Sequence, residues 1–228
     1  TNKELEQFAY VASHDLKAPI SNLSSLLFLL DLENGINEDG RLIFDKAVAS
    51  IDQMNHTIKT LNEVLSLKQN FSLEAEHIEF KTILELVKSG IGEQIKETSA
   101  KINSDFAKCR TIKFPALHLQ NILQNLITNA IKYRRGDIAP VIDVSSRKNK
   151  EFVLLTISDN GSGIDLDQHG KKLFGLFKRF HLHTEGKGIG LYITKSIMEN
   201  YHGKIEVESS VDAGTTFKLY FPLEPGLE

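Results

Sequence analysis

The sequence has no tryptophan, one cysteine, two methionines and five prolines among its 228 residues. The single cysteine, Cys109, excludes an intramolecular disulfide and, lacking a second thiolate, a cysteine-rich metal cluster. It is expected as a buried, neutral thiol in a reducing compartment. Neither sign of charge dominates. Lys and Arg number 27 against 30 Asp and Glu, a formal net charge of −3, which leaves no electrostatic footprint for nucleic acid. Long apolar runs are missing as well. The longest, Leu23 to Leu32, is interrupted by Ser24, Ser25 and Asp31, far short of a membrane span. No secretory leader, internal repeat or low-complexity tract is visible. A start at Thr1 without Met and an end at Leu227-Glu228 are read as those of a fragment of a longer protein; a cytoplasmic location is expected for it, with any membrane attachment of the parent residing in preceding segments.

What is present is an ordinary apolar complement of 41%, enough for packed cores in one large or two modest domains. The pattern changes character near Asn70, which predicts two domains, 1–69 and 70–228. In the first, apolar residues recur at Leu5, Ala9, Ala12, Leu16, Pro19, Leu23, Leu26 and Leu30, alternating steps of four and three as a bundle helix does. Pro19 has no N–H for the Asp15 carbonyl, so a kink or loosened turn is expected there. Glu33 to Asn37 reads as a helix stop. A second stripe follows at Phe44, Val48, Ile51, Asn55, Ile58, Leu61 and Leu65. Two antiparallel helices cannot bury both stripes alone. The expectation is a helical hairpin that pairs with a second copy into a four-helix bundle, a homodimer. His14, off the seam and beside Asp15, points to solvent; a lone surface histidine usually signifies nothing more.

The second domain mixes strands and helices. Strands are predicted at 73–80, 100–106, 110–114, 141–147, 152–158, 204–209 and 215–221, and helices at 82–97, from Pro115 onward, and at 188–201. This order predicts an α/β sandwich with helices on one face of a mixed sheet. Four stretches carry polar chemistry. Asn125, Asn129, Lys132 and Tyr133 lie three to four apart, so the two amides and the ammonium line one helical face. An amide oxygen there suits Mg²⁺ and an ammonium suits phosphate, although the same face reads equally as solvated surface. Asp159-Asn160-Gly161-Ser162-Gly163 follows a strand; it is an ordinary turn, or a place where backbone approaches a flat ligand and a carboxylate accepts from its amine. Leu173 to Phe180 is aromatic with two cations, Lys178 and Arg179. Gly186-Lys187-Gly188-Ile189-Gly190 opens a helix, where exposed amides attract anions. It fits neither a Walker loop nor a Rossmann fingerprint.

Together and in this order, these stretches resemble the sensor histidine kinases of two-component signalling, over nearly the whole chain. His14-Asp15-Leu16-Lys17-Ala18-Pro19 looks like the H-box, Asn125 to Tyr133 the N-box and Asp159 to Gly163 the first G-box. Phe174 to Phe180 looks like the F-box and Gly186 to Gly190 the second G-box. The resemblance implies a dimerisation and phosphoacceptor hairpin followed by a Bergerat-type ATP-binding domain. It implies a phosphotransferase in which ATP phosphorylates His14, with Asp15 orienting the imidazole through Nδ1–H. Asn129 would hold Mg²⁺, with Asn125, Lys132 and Tyr133 around the phosphates. Asp159 would read the adenine amine in a pocket shaped by Gly161 and Gly163. Lys178 and Arg179 would meet the γ-phosphate, and Gly186, Gly188 and Gly190 would bring amides to the phosphates. The phosphoryl group would then pass to an aspartate on a response regulator receiver domain.

Two departures from the family pattern bear on activity. Members with strong phosphatase activity tend to have Thr or Asn four residues after the histidine, where Ala18 stands here; weak phosphatase activity is the expectation. The lid from His181 to Glu185 is short, and His181 and His183 are expected as surface residues without a metal role. The related gyrase- and chaperone-type hydrolases use a glutamate, one turn before the magnesium-binding asparagine, to activate water. Asn125 occupies that position and takes no proton at neutral pH, which argues for transfer over hydrolysis. A degenerate dimeric scaffold is the non-enzymatic alternative, against which the intact His14, Asn129, Asp159 and glycines count.

Overall fold

The structure is a computed structural model that describes residues 16, 20–25, 27–28, 40–41, 43–52, 54–55, 58, 73–136, 138–170, 173–175 and 189–223. The chain divides into two compact units, Thr1–Asn70 and Phe71–Glu228. Every described residue of the first unit is helical. Ile20, Ile51 and Ile58 form its small buried cluster, with Leu27 packed against them. Leu16, Leu23, Phe28, Ile43 and Met54 are exposed. Ile20 and Leu27 are not among the expected seam positions, and Leu16 and Leu23, which are, stand exposed; Pro19 and Leu26 lie outside the described residues. Ser24 and Ser25 donate back to the Ile20 and Ser21 carbonyls, each at 3.0 Å, which lets hydroxyls sit in the helix without an unmet donor.

The second unit runs β1 (Glu76–Glu79), α1 (Phe80–Gly90), α2 (Gly92–Thr98), β2 (Lys101–Lys108), β3 (Thr111–Phe114), α3 (Ala116–Lys132), β4 (Val141–Lys148) and β5 (Phe152–Asp159). It continues with α4 (Leu166–His169), α5 (Gly190–Asn200), β6 (Lys204–Ser210) and β7 (Gly214–Pro222). Five strands form one sheet in the order β2-β4-β5-β7-β6, and β1 pairs antiparallel with β3 apart from it. Only β2 and β4 are parallel in the larger sheet; its other neighbours are antiparallel. The crossover between that pair carries β3 and α3, as a parallel connection requires. The helix expected over 82–97 is two helices. It stops where Gly90 and Gly92 flank Ile91, whose backbone (φ −112°, ψ 21°) leaves the α region. The two glycines weaken helix continuation while Ile91 turns its side chain into the core.

The core follows from two periodicities meeting. In α3, Leu119, Ile122, Leu123, Leu126, Ile127, Ala130 and Ile131 are buried, the i, i+3, i+4 stripe of a helix pressed on a sheet. Helix α3 packs against both α1 and α5. In β5, residues 153, 155 and 157 face inward; the register sets Val153 opposite Phe221, Leu155 opposite Leu219 and Ile157 opposite Phe217. Period two carries the same face to Asp159 at the strand's end. On the opposite sheet face, Glu206 accepts from Tyr220 Oη at 2.8 Å and pairs with Lys204, while Glu208 pairs with Lys218. Pro115 stands at the N-cap of α3, and its carbonyl accepts the first helical bond, from Leu119 N–H at 3.1 Å.

Leu123 is fully buried between the helices and the sheet. Leu123→Ala is expected to destabilise the second unit by about 2–5 kcal/mol. Urea unfolding would read this as a lower midpoint at unchanged slope.

Candidate nucleotide site

The site lies at one end of β5, where the sheet's inward face runs out from under α3. Asp159 is half-buried. Its Oδ1 accepts from Gly161 N–H at 2.8 Å and Thr215 N–H at 3.2 Å, so two backbone amides fix the carboxylate. No hydrogen bond among the described residues occupies Oδ2. Burial pushes the carboxyl above its ordinary value, and the two amide bonds pull it part of the way back.

The glycines of this loop are placed by close approach. A Cβ on Gly161 would lie 2.7 Å from the Tyr133 carbonyl oxygen and 2.8 Å from Asp159 Oδ1. Gly163 has φ +68°, and a Cβ there would lie 1.9 Å from the Ser210 carbonyl. The loop is also tied to the end of α3: the Ser162 N–H and hydroxyl both donate to the Tyr133 carbonyl, at 2.9 and 2.7 Å. Asn160 accepts from Val141 N–H at 2.9 Å and donates to the Ala139 carbonyl at 3.2 Å, binding the loop to the start of β4.

A second cluster forms where α3 meets the start of α5. Asn125 Nδ2 donates to Thr194 Oγ1 at 2.8 Å, and Asn129 Nδ2 approaches Asn125 Oδ1 at 3.4 Å. Gly190 faces Asn125 so closely that a Cβ on it would lie 1.8 Å from Oδ1. The structure therefore brings Asn125, Asn129 and Gly190 together. Lys132 places its ammonium 4.8 Å from the ring centre of Tyr133, leaving the two-amide cluster to the residues a turn or two earlier. Tyr133 contributes to the first cluster through its carbonyl. From the aromatic segment, Phe174 receives the Lys195 ammonium over its ring at 5.7 Å. His14, Asp15, Ala18, Pro19, Lys178, Arg179, His181, His183, Gly186 and Gly188 lie outside the described residues.

Three residues joined to the site escaped the sequence reading. Thr215 supplies an amide to Asp159, and Gly214 (φ +92°) would, with a Cβ, lie 1.9 Å from the Asp159 carbonyl. Thr194 is fully buried. Its signal was legible in principle: a hydroxyl on the otherwise apolar face of α5, one turn after Gly190. Among the described residues no group of three or more His, Cys, Asp or Glu could hold a metal. The amide oxygen of Asn129 is a hard donor of the kind Mg²⁺ accepts when phosphates and water complete its shell. The donor set fits a shared magnesium and no all-protein cage.

For Asp159 the folded state holds its proton to a higher pH than the unfolded chain. Its contribution to stability is thus fully present below the ordinary carboxylate value of 3.8 and is lost as pH rises through the folded pKa. Asp159→Asn keeps an oxygen for both amides and removes the buried charge. Thermal melts across pH are expected to show a flatter profile and a higher Tm at neutral pH for the variant.

Residues 115–225 match the family model described as histidine kinase-, DNA gyrase B-, and HSP90-like ATPase. Cyanobacterial phytochrome A of Nostoc sp. is 32% identical over 98% of this chain and 29% of its own length. The methanogenesis regulatory histidine kinase FilI of Methanothrix harundinacea is 29% identical over 97% of this chain and 25% of its own. The chain thus spans about a quarter to a half of the length of the curated relatives it matches. In fold it resembles the solved histidine kinase ThkA in complex with the response regulator protein TrrA, with TM-score 0.65 and 18% identity over 99% of this chain and 65% of that one. Residues 115–225 are therefore a Bergerat-type ATPase domain of this family, and the chain is a relative of the sensor histidine kinases.

Proposed function

We propose that this chain is the dimerisation, phosphoacceptor and ATP-binding part of a sensor histidine kinase. The observation that carries the choice within the ATPase family is Asn125. It stands one turn before Asn129, where a hydrolase of this fold places its base, and its amide is engaged with Thr194 and pressed on Gly190. No group there can take a proton from water. The acceptor of the γ-phosphoryl group is then a side chain, and His14 in its His-Asp-Leu-Lys-Ala-Pro setting is that side chain.

In this reading Asp159 accepts from the adenine amine through Oδ2, on a wall made by Gly161 and Gly163. Asn129 offers its oxygen to Mg²⁺, which when bound offsets charge on the phosphates. Asn125, Lys132, Tyr133, Gly186, Gly188 and Gly190 surround the phosphate chain. Asp15 accepts from His14 Nδ1–H, so the Nε2 lone pair attacks the γ-phosphorus while the bond to the β-phosphate oxygen breaks and ADP leaves. Lys178 and Arg179 balance the charge that spreads over the transferring group. A receiver-domain aspartate then takes the phosphoryl group from His14. The solved complex of ThkA with TrrA supports such a partner.

The first unit serves as dimerisation hairpin. Leu16 and Leu23, on its expected seam, are exposed in the single chain, as is Ile43 on the second helix; a second copy that forms a four-helix bundle covers them. No helix among the described residues is long and apolar enough to cross a membrane. Use of ATP and a buried, unpaired Cys109, its thiol pushed up by burial, fit work in the cytoplasm.

Incubation with γ-labelled ATP and Mg²⁺ tests the reading. Acid-labile, alkali-stable label is expected on the protein, absent in His14→Gln and strongly reduced in Asn129→Ala; free phosphate without labelled protein would point to a hydrolase. Ala18 offers no hydrogen bond to water, so a phosphorylated regulator is expected to keep its label in the presence of this chain. Rapid, chain-dependent release of phosphate would overturn that part.

A further inference from the structure

We propose that Thr194 is a positioning residue that sets which end of the Asn129 amide faces a bound cation. The argument begins at a carbonyl. Thr194 Oγ1 lies 3.0 Å from the Gly190 carbonyl oxygen. A carbonyl only accepts, and a hydroxyl has one hydrogen, so the Thr194 proton is committed to Gly190. Toward Asn125, at 2.8 Å, Thr194 then presents a lone pair, and Asn125 must meet it with Nδ2. The planar amide turns Oδ1 to the other side, where it rests against Gly190 and 3.4 Å from Asn129. Only Nδ2 of Asn129 can face that oxygen. The Asn129 oxygen is the atom left for a cation.

Each link runs one way: Asn129 N–H to Asn125 oxygen, Asn125 N–H to Thr194 oxygen, Thr194 O–H to the Gly190 carbonyl. With the Thr194 hydroxyl removed, both amides are free to flip, and a flipped Asn129 offers two N–H donors to a cation. Amide ends look alike in shape, so packing alone does not choose between them. Burial makes the choice firm, because Thr194 is fully excluded from solvent and has no water to exchange with. Thr194 itself touches neither cation nor nucleotide. Its role is that of an outer partner that orients a ligand.

This inference rests on Asn129 being the magnesium-binding residue, and the test separates the two. ATP affinity of the whole chain is measured by calorimetry with MgCl₂ and again with EDTA. Thr194→Val, equal in shape without the hydroxyl, is expected to lose about tenfold of the tightening given by Mg²⁺, with affinity in EDTA unchanged. Thr194→Ser restores it. If Asn129→Ala keeps the Mg²⁺ tightening, the magnesium reading itself fails. If Asn129→Ala loses it while Thr194→Val keeps it, the relay fails and the reading stands. A loss in EDTA as large as in MgCl₂ would reduce Thr194 to a packing role. Should Thr194→Val not fold, the wild-type protein still decides. In asparagine-¹⁵N-labelled protein one Asn125 side-chain N–H is expected to resist exchange with solvent, and free exchange of both would overturn the relay.

Discussion

A carboxylate carried toward the interior by the pleat of a strand governs the second unit. Asp159 faces inward because Val153, Leu155 and Ile157 do, and the strand cannot turn one residue outward without turning all of them. A charge moved out of water needs donors, and here they are backbone amides from Gly161 and Thr215. Those amides reach it only if the loop and β7 come close, which in turn demands glycine at 161, 163 and 214. The ends of α3, β4 and the β6–β7 hairpin are then drawn in. Ser162 holds Tyr133, Asn160 holds Val141, and Asp212 N–H donates to the Ser162 carbonyl at 2.7 Å. One half-buried carboxylate is tied to much of the order at this end of the sheet.

The elements with strong period were legible from the residues. Val141–Lys148, Phe152–Asp159 and the helix after Pro115 lie where alternation and the i, i+4 stripe place them. What depends on events far apart in the chain was not. Residues 82–97 hold an unbroken apolar stripe, and the pair of glycines that ends it is weak punctuation beside Ile91. Nothing in Lys101–Lys108 says that it runs parallel to β4, because strand direction is a property of the connection and not of the strand. The short helix Leu166–His169 rests on a single cap, Asp165 accepting from Gln168 N–H at 3.1 Å.

The site shows the same division. Asn125, Asn129, Asp159 and the glycines announce themselves because their chemistry is unusual for their positions. Gly214 and Thr215 do not, since a glycine and a threonine at a hairpin are common for purely local reasons. Their part appears only when β7 is set beside β5. Thr194 lies between these cases: its neighbours Ile197 and Met198 make a hydroxyl at that depth conspicuous.

The outer face of the sheet carries a further consequence. Strand β6 is an edge, and an edge with unpaired backbone groups invites a second sheet to dock and grow sideways. Here Lys204, Glu206 and Glu208 alternate along it and are engaged with Tyr220 and Lys218. Joining another strand in register would set these charges against a partner's own and bend the ladder they hold. The same side chains that neutralise one another within the molecule thereby guard it against self-aggregation.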